Sequence, residues 1–390
     1  MARTRPSAVD RTARTRTRRF RAAAVSGGVI LALGMGEIAV RTLAPVRWER
    51  ISACPVPAEA RTSPHGLREW PILLPDDPNC LRIAFLGDSF TYGVNVPEDL
   101  ALVRQVDRFL KERWTGPYAT INLGVPGADT ITEWALLNRL GQEVCPHVVV
   151  HVLSPNDMDV DDYKDLTAIA RFSRERCWLS KYSRLFGTAD ASVRSAIVRR
   201  RYLDYVRGGA TPPRRDRAWR IVSREIEATK HLAESEGAVY VVVRFPEFLV
   251  DLRHYELGEP HRWTAELAGR IGAAYLDLLE VYRDRDHREM AFGPGDDHPS
   301  PAAYAIAGRA IADFLAGRVL PGIRPRPIGD PPVKRTDEQI TAAEVQHYRR
   351  ILDLDPSCWS ARFWLRKATE PSEHSPAPQG SRAHTLSLGT

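Results

Sequence analysis

Five short apolar runs, at residues 81–86, 118–123, 147–153, 238–244 and 274–278, constrain this chain more than any other feature. They are rich in Val, Ile and Leu and end abruptly at Gly, Asp, Ser or Pro, as buried strands do. Helical stretches follow at 98–114, 129–142, 216–235, 259–270 and 301–315, with Gly237 as a stop signal. Strand and helix in alternation predict a parallel sheet covered on both faces, an α/β domain over 81–317. A hydrophobic content of 43% supports a real core in a chain of 390 residues. A basic, irregular stretch at 162–215 interrupts the alternation and reads as an insertion or lid. Arg171, Trp178 and Tyr182 within it serve either packing or substrate contact.

Charge is distributed unevenly. The first 21 residues hold eight arginines against Asp10, giving +7, so with a total of +6 the remainder carries −1. A basic pI would ordinarily raise nucleic acid as a partner. Here the charge belongs to an arm (1–21) followed by an apolar segment, an order that argues for membrane topology and against nucleic acid. Residues 22–43 are expected to form a transmembrane anchor, although Glu37 lies inside them and the uncharged part is only about 15 residues, near the length of a signal-peptide core. A cleaved signal and an amphipathic arm lying on the inner surface are the alternatives. The anchor is favoured because no small-residue cleavage pattern stands within reach and Arg41 can snorkel to the headgroups. The arm then stays in the cytoplasm and the main domain lies outside. Ser52-Ala53-Cys54 superficially resembles a lipoprotein box, but Arg47, Glu49 and Arg50 separate it from the apolar core.

Residues 44–80 are proline-rich and read as a linker. Five cysteines (54, 80, 145, 177, 358) show no metal-type pairing, and Cys54 could staple to Cys80. The region 318–390 opens with prolines, continues with a tetratricopeptide-like helix pair at 342–367 and ends in a tail of disordered composition. One such unit cannot bury its own face, so it must pack on the domain or on a protein partner.

Few polar residues follow the strands, and each stands where acyl transfer can use it. Ser89 ends the first strand in Gly87-Asp88-Ser89; it is either a nucleophile or merely the cap of the next helix. Gly124 and Gly127 follow the second strand and offer a backbone N–H free of side-chain interference. Asn156 follows the third, with an amide that could donate to the same oxygen. Asp296 and His298 precede the last helix. His151 lies within a strand, and His254 and His261 flank the fourth, where they could at most touch substrate.

Together these blocks resemble the SGNH (GDSL-like) serine hydrolase family, in a membrane-anchored bacterial form. The resemblance covers about 235 residues, and its motifs lie in order: the Gly-Asp-Ser block at 87–89, Gly127, Asn156 and His298. It implies a three-layer α/β/α sandwich around a five-stranded parallel sheet of flavodoxin-like type. It also implies Ser89 as nucleophile, His298 as base, and an oxyanion hole from the N–H of Ser89, Gly127 and Asn156. Two departures stand out. Ser154 replaces the glycine that usually introduces the asparagine, and Gly295 replaces the acid usually three residues before the histidine. Asp296 or Asp297 must then serve; Asp296 is preferred because an adjacent residue usually points away from its neighbour's side. No metal or cofactor is called for, and neither a phosphate loop nor a dinucleotide fingerprint is present. The expected activity is ester hydrolysis through an acyl-serine, on an acylated carbohydrate of the envelope or, second, a lipid ester. O-acyl transfer to a sugar hydroxyl and a non-catalytic envelope protein that binds a partner through its tail are the rival readings.

Overall fold

The computed structural model describes residues 8–43, 65–158 apart from 70 and 76, 182–209, 212–293, 296–327 and 334–369. The first part of the expected linker (44–64), much of the insert (159–181, with Arg171, Trp178 and Cys177), Gly295, Cys54 and the terminal tail lie outside the described residues. The chain divides into two compact units, Met1–Ser52 with Ser173–Arg194, and Ala53–Phe172 with Ser195–Thr390.

In the first unit a single helix, α1 (Ala8–Leu43), takes in most of the basic arm as well as the apolar segment. Within it Ala23–Thr42 is 20 residues long with mean hydropathy 1.8 and no part buried. At 1.5 Å per residue it spans about 30 Å, long and apolar enough to cross a bilayer, a test that a signal sequence also passes.

The second unit is built on five parallel strands, β1 (Leu81–Gly87), β2 (Tyr118–Gly124), β3 (Val148–Leu153), β4 (Val239–Arg244) and β5 (Ala274–Asp277), in the order β2-β1-β3-β4-β5. Eleven of the twelve residues of β3 and β4 are buried, all but Val239, and period-two alternation divides the first strand between two cores. Leu81, Ile83 and Phe85 face the layer holding α3 (Leu102–Leu110) and α8 (Pro301–Phe314). Ala84 and Leu86 face the layer of α4 (Thr130–Val144) and α6 (Pro212–Ser235). Between them in the sequence, α2 (Ser89–Tyr92) is one turn after β1 and α5 (Arg184–Gly209) is the described part of the insert; α7 (Gly258–Ile271) precedes β5. Arg82, fully buried within β1, donates from Nε to the carbonyls of Val144 (3.1 Å) and Cys145 (2.8 Å) and so satisfies the C-terminal end of α4.

The structure departs from sequence expectation in three places. The helix expected at 98–114 is a short turn at Glu98–Leu100 and then α3, which stops at Leu110 before Gly116 and Pro117. A two-stranded antiparallel hairpin, β6 (Ala291–Gly293) and β7 (Asp296–Pro299), carries residues expected to form a plain lead-in to the last helix. Cys80 is a buried free thiol, so the proposed staple with Cys54 is not formed.

The tetratricopeptide-like pair is α9 (Asp337–Leu354) and α10 (Trp359–Thr369), and its apolar face finds its partner within the chain. Tyr348, Ile351, Ala361 and Trp364 join the core of the α4 and α6 layer. Polar contacts fix the register: Arg139 binds Glu344 through two nitrogens at 2.6 and 2.8 Å, and His347 stacks on Trp134 at 3.7 Å while contacting Glu225 at 2.7 Å.

In the opposite layer α3 and α8 approach at Gly308. A Cβ there would lie 2.6 Å from the Cβ of Gln105 and 2.8 Å from its carbonyl carbon. Helix propensity alone would make Gly308→Ala stabilising by about 1 kcal/mol. The clash with backbone should reverse the sign, to a loss of about 1–3 kcal/mol, read by urea denaturation. An unchanged or higher midpoint would contradict this packing.

Candidate active site

The strand order reverses at the β1/β3 boundary: the chain leaves β1 toward β2 on one side and later returns to β3 on the other. Such a switch point opens a crevice beyond the carboxyl ends of the two strands. Ser89 lies two residues past β1, and the turn Pro155–Met158 follows β3 after Ser154.

Ser89 opens α2, but the capping group is Asp88, whose Oδ1 accepts the Phe90 N–H at 2.9 Å. The hydroxyl of Ser89 is therefore not spent on the cap. Space around it is set by glycines. A Cβ at Gly124 would come within 2.8 Å of the Thr91 carbonyl carbon, and one at Gly87 within 2.8 Å of the Val152 carbonyl oxygen. Gly127 has φ +76°, a left-handed turn that favours glycine, with nothing within 4 Å of the Cβ position.

The hairpin β6–β7 delivers the remaining groups. His298 Nε2 lies 2.9 Å from Ser89 Oγ, and His298 Nδ1 lies 2.6 Å from Asp296 Oδ1, which also accepts the His298 backbone N–H at 3.1 Å. Asp297 Oδ1 is 3.8 Å from the same nitrogen, beyond hydrogen-bond reach, so Asp296 is the closer carboxylate. Phe90 packs beside the imidazole with ring centroids 5.6 Å apart. Asp296, Asp297 and His298 offer donor atoms within 4.8 Å of one another, a set a cation could use. Both ring nitrogens of His298 are engaged, however, and an ion held by the two carboxylates and Nδ1 would compete with the contact to Asp296.

Ser154, which stands where the resemblance leads one to expect glycine, fills the floor of the crevice. Its backbone N–H donates to Asp157 Oδ2 at 2.5 Å, its hydroxyl donates to Asp88 Oδ2 at 2.9 Å, and it touches Asn156 Oδ1. The Asn156 amide also donates to Asp88.

Sequence reasoning did not find Asn95. Its Nδ2 donates to the outer oxygen of Asp296 at 2.9 Å, from a backbone with φ +70°. Asparagine tolerates that conformation better than most residues, which was the available signal; its partner 201 positions away was not. The other histidines are elsewhere. His151 is fully buried between Glu133 (2.7 Å) and the Tyr240 hydroxyl (2.5 Å), His261 pairs with Asp277 at 2.8 Å, and His254 pairs with Asp251 at the surface.

Electrostatics set the protonation states. Burial pushes Asp88 up against the pull of the Phe90 N–H, Ser154, His298 and Asn156. Burial, with the charges of Glu133 and Asp88, holds Asp157 well above the usual carboxylate range. For His298 burial acts downward, but the charge and hydrogen bond of Asp296, helped by Asp297 and Asp88, outweigh it and lift the imidazole to about 9. Asp296 ends below its ordinary value: burial opposes ionisation, and His298 and Asn95 more than offset it. A base must be neutral to take a proton, so with a pKa of about 9 the unprotonated fraction at pH 7 is about 1%. The rate kcat/KM on a soluble aryl ester should climb about tenfold per pH unit through pH 7 and 8 and level off above about 9. A plateau already reached near the ordinary histidine value would contradict the arrangement.

Residues 85–306 match the GDSL-like Lipase/Acylhydrolase family. No match was found among curated proteins. Among solved structures, the chain is similar to a lipase/acylhydrolase from Enterococcus faecalis at 19% identity, covering 63% of this chain and 98% of that one with a TM-score of 0.38. It is similar to a two-domain esterase active on acetylated mannans at 16% identity, covering 66% and 52% with a TM-score of 0.38. It is also similar to a psychrotrophic esterase from a Pseudoalteromonas species at 13% identity, covering 60% and 96% with a TM-score of 0.37. The family match spans more than half of the chain and takes in the whole Ser89 to His298 constellation: this chain belongs to the GDSL-like lipase/acylhydrolase family and is a hydrolase of ester bonds.

Proposed function

We propose that the protein is a serine O-acyl esterase in which Ser89 is the nucleophile, His298 the base and Asp296 the acid that orients it. The observation that carries the reading is the unbroken line from Ser89 Oγ through both nitrogens of His298 to Asp296, at 2.9 and 2.6 Å. His298 takes the Ser89 proton as the oxygen attacks the ester carbonyl, then gives it to the departing alkoxide, leaving an acyl-serine and free alcohol. Water, deprotonated by the same imidazole, attacks the acyl carbon and releases the carboxylic acid and Ser89. The N–H of Ser89, left unpartnered at the first position of α2, joins the Gly127 N–H and the Asn156 amide in holding the oxyanion. Asn156 has two amide hydrogens, so one can serve Asp88 and the other the reacting oxygen.

The substrate class we favour is an acylated carbohydrate outside the cytoplasm, with a lipid ester as the second choice. Support comes from the apolar stretch Ala23–Thr42 behind an arginine-rich arm, which orients a spanning helix with the arm inside. The esterase active on acetylated mannans is one protein of similar fold that acts on such esters. Incubation with an acetylated oligosaccharide plus a free sugar acceptor separates hydrolysis from transfer: acetate release unaffected by acceptor supports the esterase. Acetyl appearing on the acceptor in preference to water would overturn hydrolysis in favour of transfer.

Two substitutions probe the machinery. Asn156→Ala should lower kcat by about 100- to 1,000-fold with the fold intact by circular dichroism. Asn95→Gly keeps the left-handed backbone while deleting the amide that steadies Asp296; loss of a hydrogen bond to a charged group predicts a fall of about 10- to 100-fold in kcat with KM unchanged. In an Asp296→Ala background the same substitution should cost nothing further, whereas a merely structural Asn95 would cost the same in both.

A further inference from the structure

An acid inside an apolar span is costly unless it is paired, so Glu37 in the stretch Ala23–Thr42 calls for a partner. It has four. Arg41 Nε donates to it at 2.7 Å, Ser183 Oγ at 2.7 Å, and the backbone N–H groups of Arg184 and Leu185 at 2.9 Å each. Three of these belong to the head of α5, where Ser183 also accepts the Phe186 N–H at 3.1 Å. The first turn of that helix is thus capped twice, once by its own serine and once by a carboxylate from α1. The neighbouring residue fits the same contact. Gly36 lies against Leu185, where a Cβ would come within 3.1 Å of its Cδ2. Glu37 and Gly36 therefore form a paired feature: one supplies charge to open helix N–H groups, the other supplies the close approach.

We propose that Gly36 and Glu37 clasp the head of α5 to the membrane-spanning helix, making residues 183–186 of the insert a second element in contact with the lipid headgroup layer. This rests on the reading that α1 spans the bilayer. Glu37 lies five residues before the end of the apolar stretch at Thr42, about 7.5 Å along the axis. A segment hydrogen-bonded to it sits at interface depth, on the side away from the arginine-rich arm. Phe186, 44% exposed, presents an aromatic ring there, and Arg184 an adjacent cation, the residue types that settle among headgroups. The clasp also explains how a single acid is tolerated within an otherwise apolar span: its charge is neutralised by Arg41 one turn on, and its remaining lone pairs are filled by backbone donors.

The test uses the full chain reconstituted in phosphatidylcholine and phosphatidylglycerol vesicles that contain lipids brominated on their acyl chains near the headgroup. A fluorescent amino acid is introduced at Phe186 or, separately, at Ile30 within the span. Quenching at both positions is expected, with Glu37→Ala abolishing it at Phe186 and sparing it at Ile30; Glu37→Gln, which keeps one acceptor oxygen, should lose only part. Hydrolysis of a soluble aryl ester by Glu37→Ala should match the parent and so report an intact fold. Quenching at Ile30 without quenching at Phe186 overturns the clasp and leaves the span standing. Quenching at Phe186 that survives Glu37→Ala overturns the role of the carboxylate. Quenching at neither position overturns both the clasp and the span.

Discussion

The reversal of strand order between β1 and β3 is the constraint on which the site depends. A parallel sheet whose chain moves outward from β1 to β2 and then returns across it to β3 must leave the ends of β1 and β3 without a shared covering helix. Whatever follows those two strands faces the same crevice. Gly87 stands beside Val152 in the register, so the loops that carry Ser89 and Ser154 begin side by side. The hydroxyl of Ser154 then reaches Asp88 at 2.9 Å and joins the two loops. Gly87 and Gly124 permit α2 to lie against the sheet ends, and their replacement would push the turn that carries Ser89 outward.

The crevice gathers acids on both of its sides. Asp88 and Asp157 are fully buried on the floor and are raised by burial, whereas Asp296 on the hairpin is lowered by its contact with His298. The lowered carboxylate is the one in contact with the imidazole, and the carboxyl groups pushed toward neutrality are those that share hydrogen bonds with Ser154. The shortened Asp296-x-His298 spacing brings the two side chains together because both residues lie on one short strand. Its backbone lets Asp296 Oδ1 accept both the ring and the main-chain N–H of His298. Asn95 fills the other oxygen.

Much of this was readable from the chain. The five strands declared themselves through β-branched runs with sharp ends, and their alternation with helices fixed the layering. Ser89 and Asn156 stand just after strands in the sequence, their expected roles and that of His298 come from the family resemblance, and Asp296 is preferred over Asp297 because adjacent residues point to opposite sides. The rest was hidden for physical reasons. The strands of the hairpin, Ala291–Gly293 and Asp296–Pro299, are too short to show any period. Asn95 acts through a contact between residues far apart in sequence. For the helices from Asp337 onward the sequence left open whether the domain or a partner covers them, because hydrophobic spacing reveals a face but not what covers it. What covers it is a set of paired charges, Arg139 with Glu344 and Arg217 with Asp355, around an apolar seam. The helix expected at 98–114 failed because Pro97 and the residues that follow favour a tight turn before the amphipathic period begins.

The central claim is that His298 activates Ser89, and a fluorophosphonate reagent on the full chain tests it most directly. Intact-mass and peptide analysis should place one phosphonyl group on Ser89, absent from Ser89→Ala and formed far more slowly in His298→Ala. Its rate in the parent should follow the deprotonation of an imidazole with a pKa of about 9. A folded parent that remains unlabelled, or labelling of Ser89 at the same rate when His298 is gone, would contradict it.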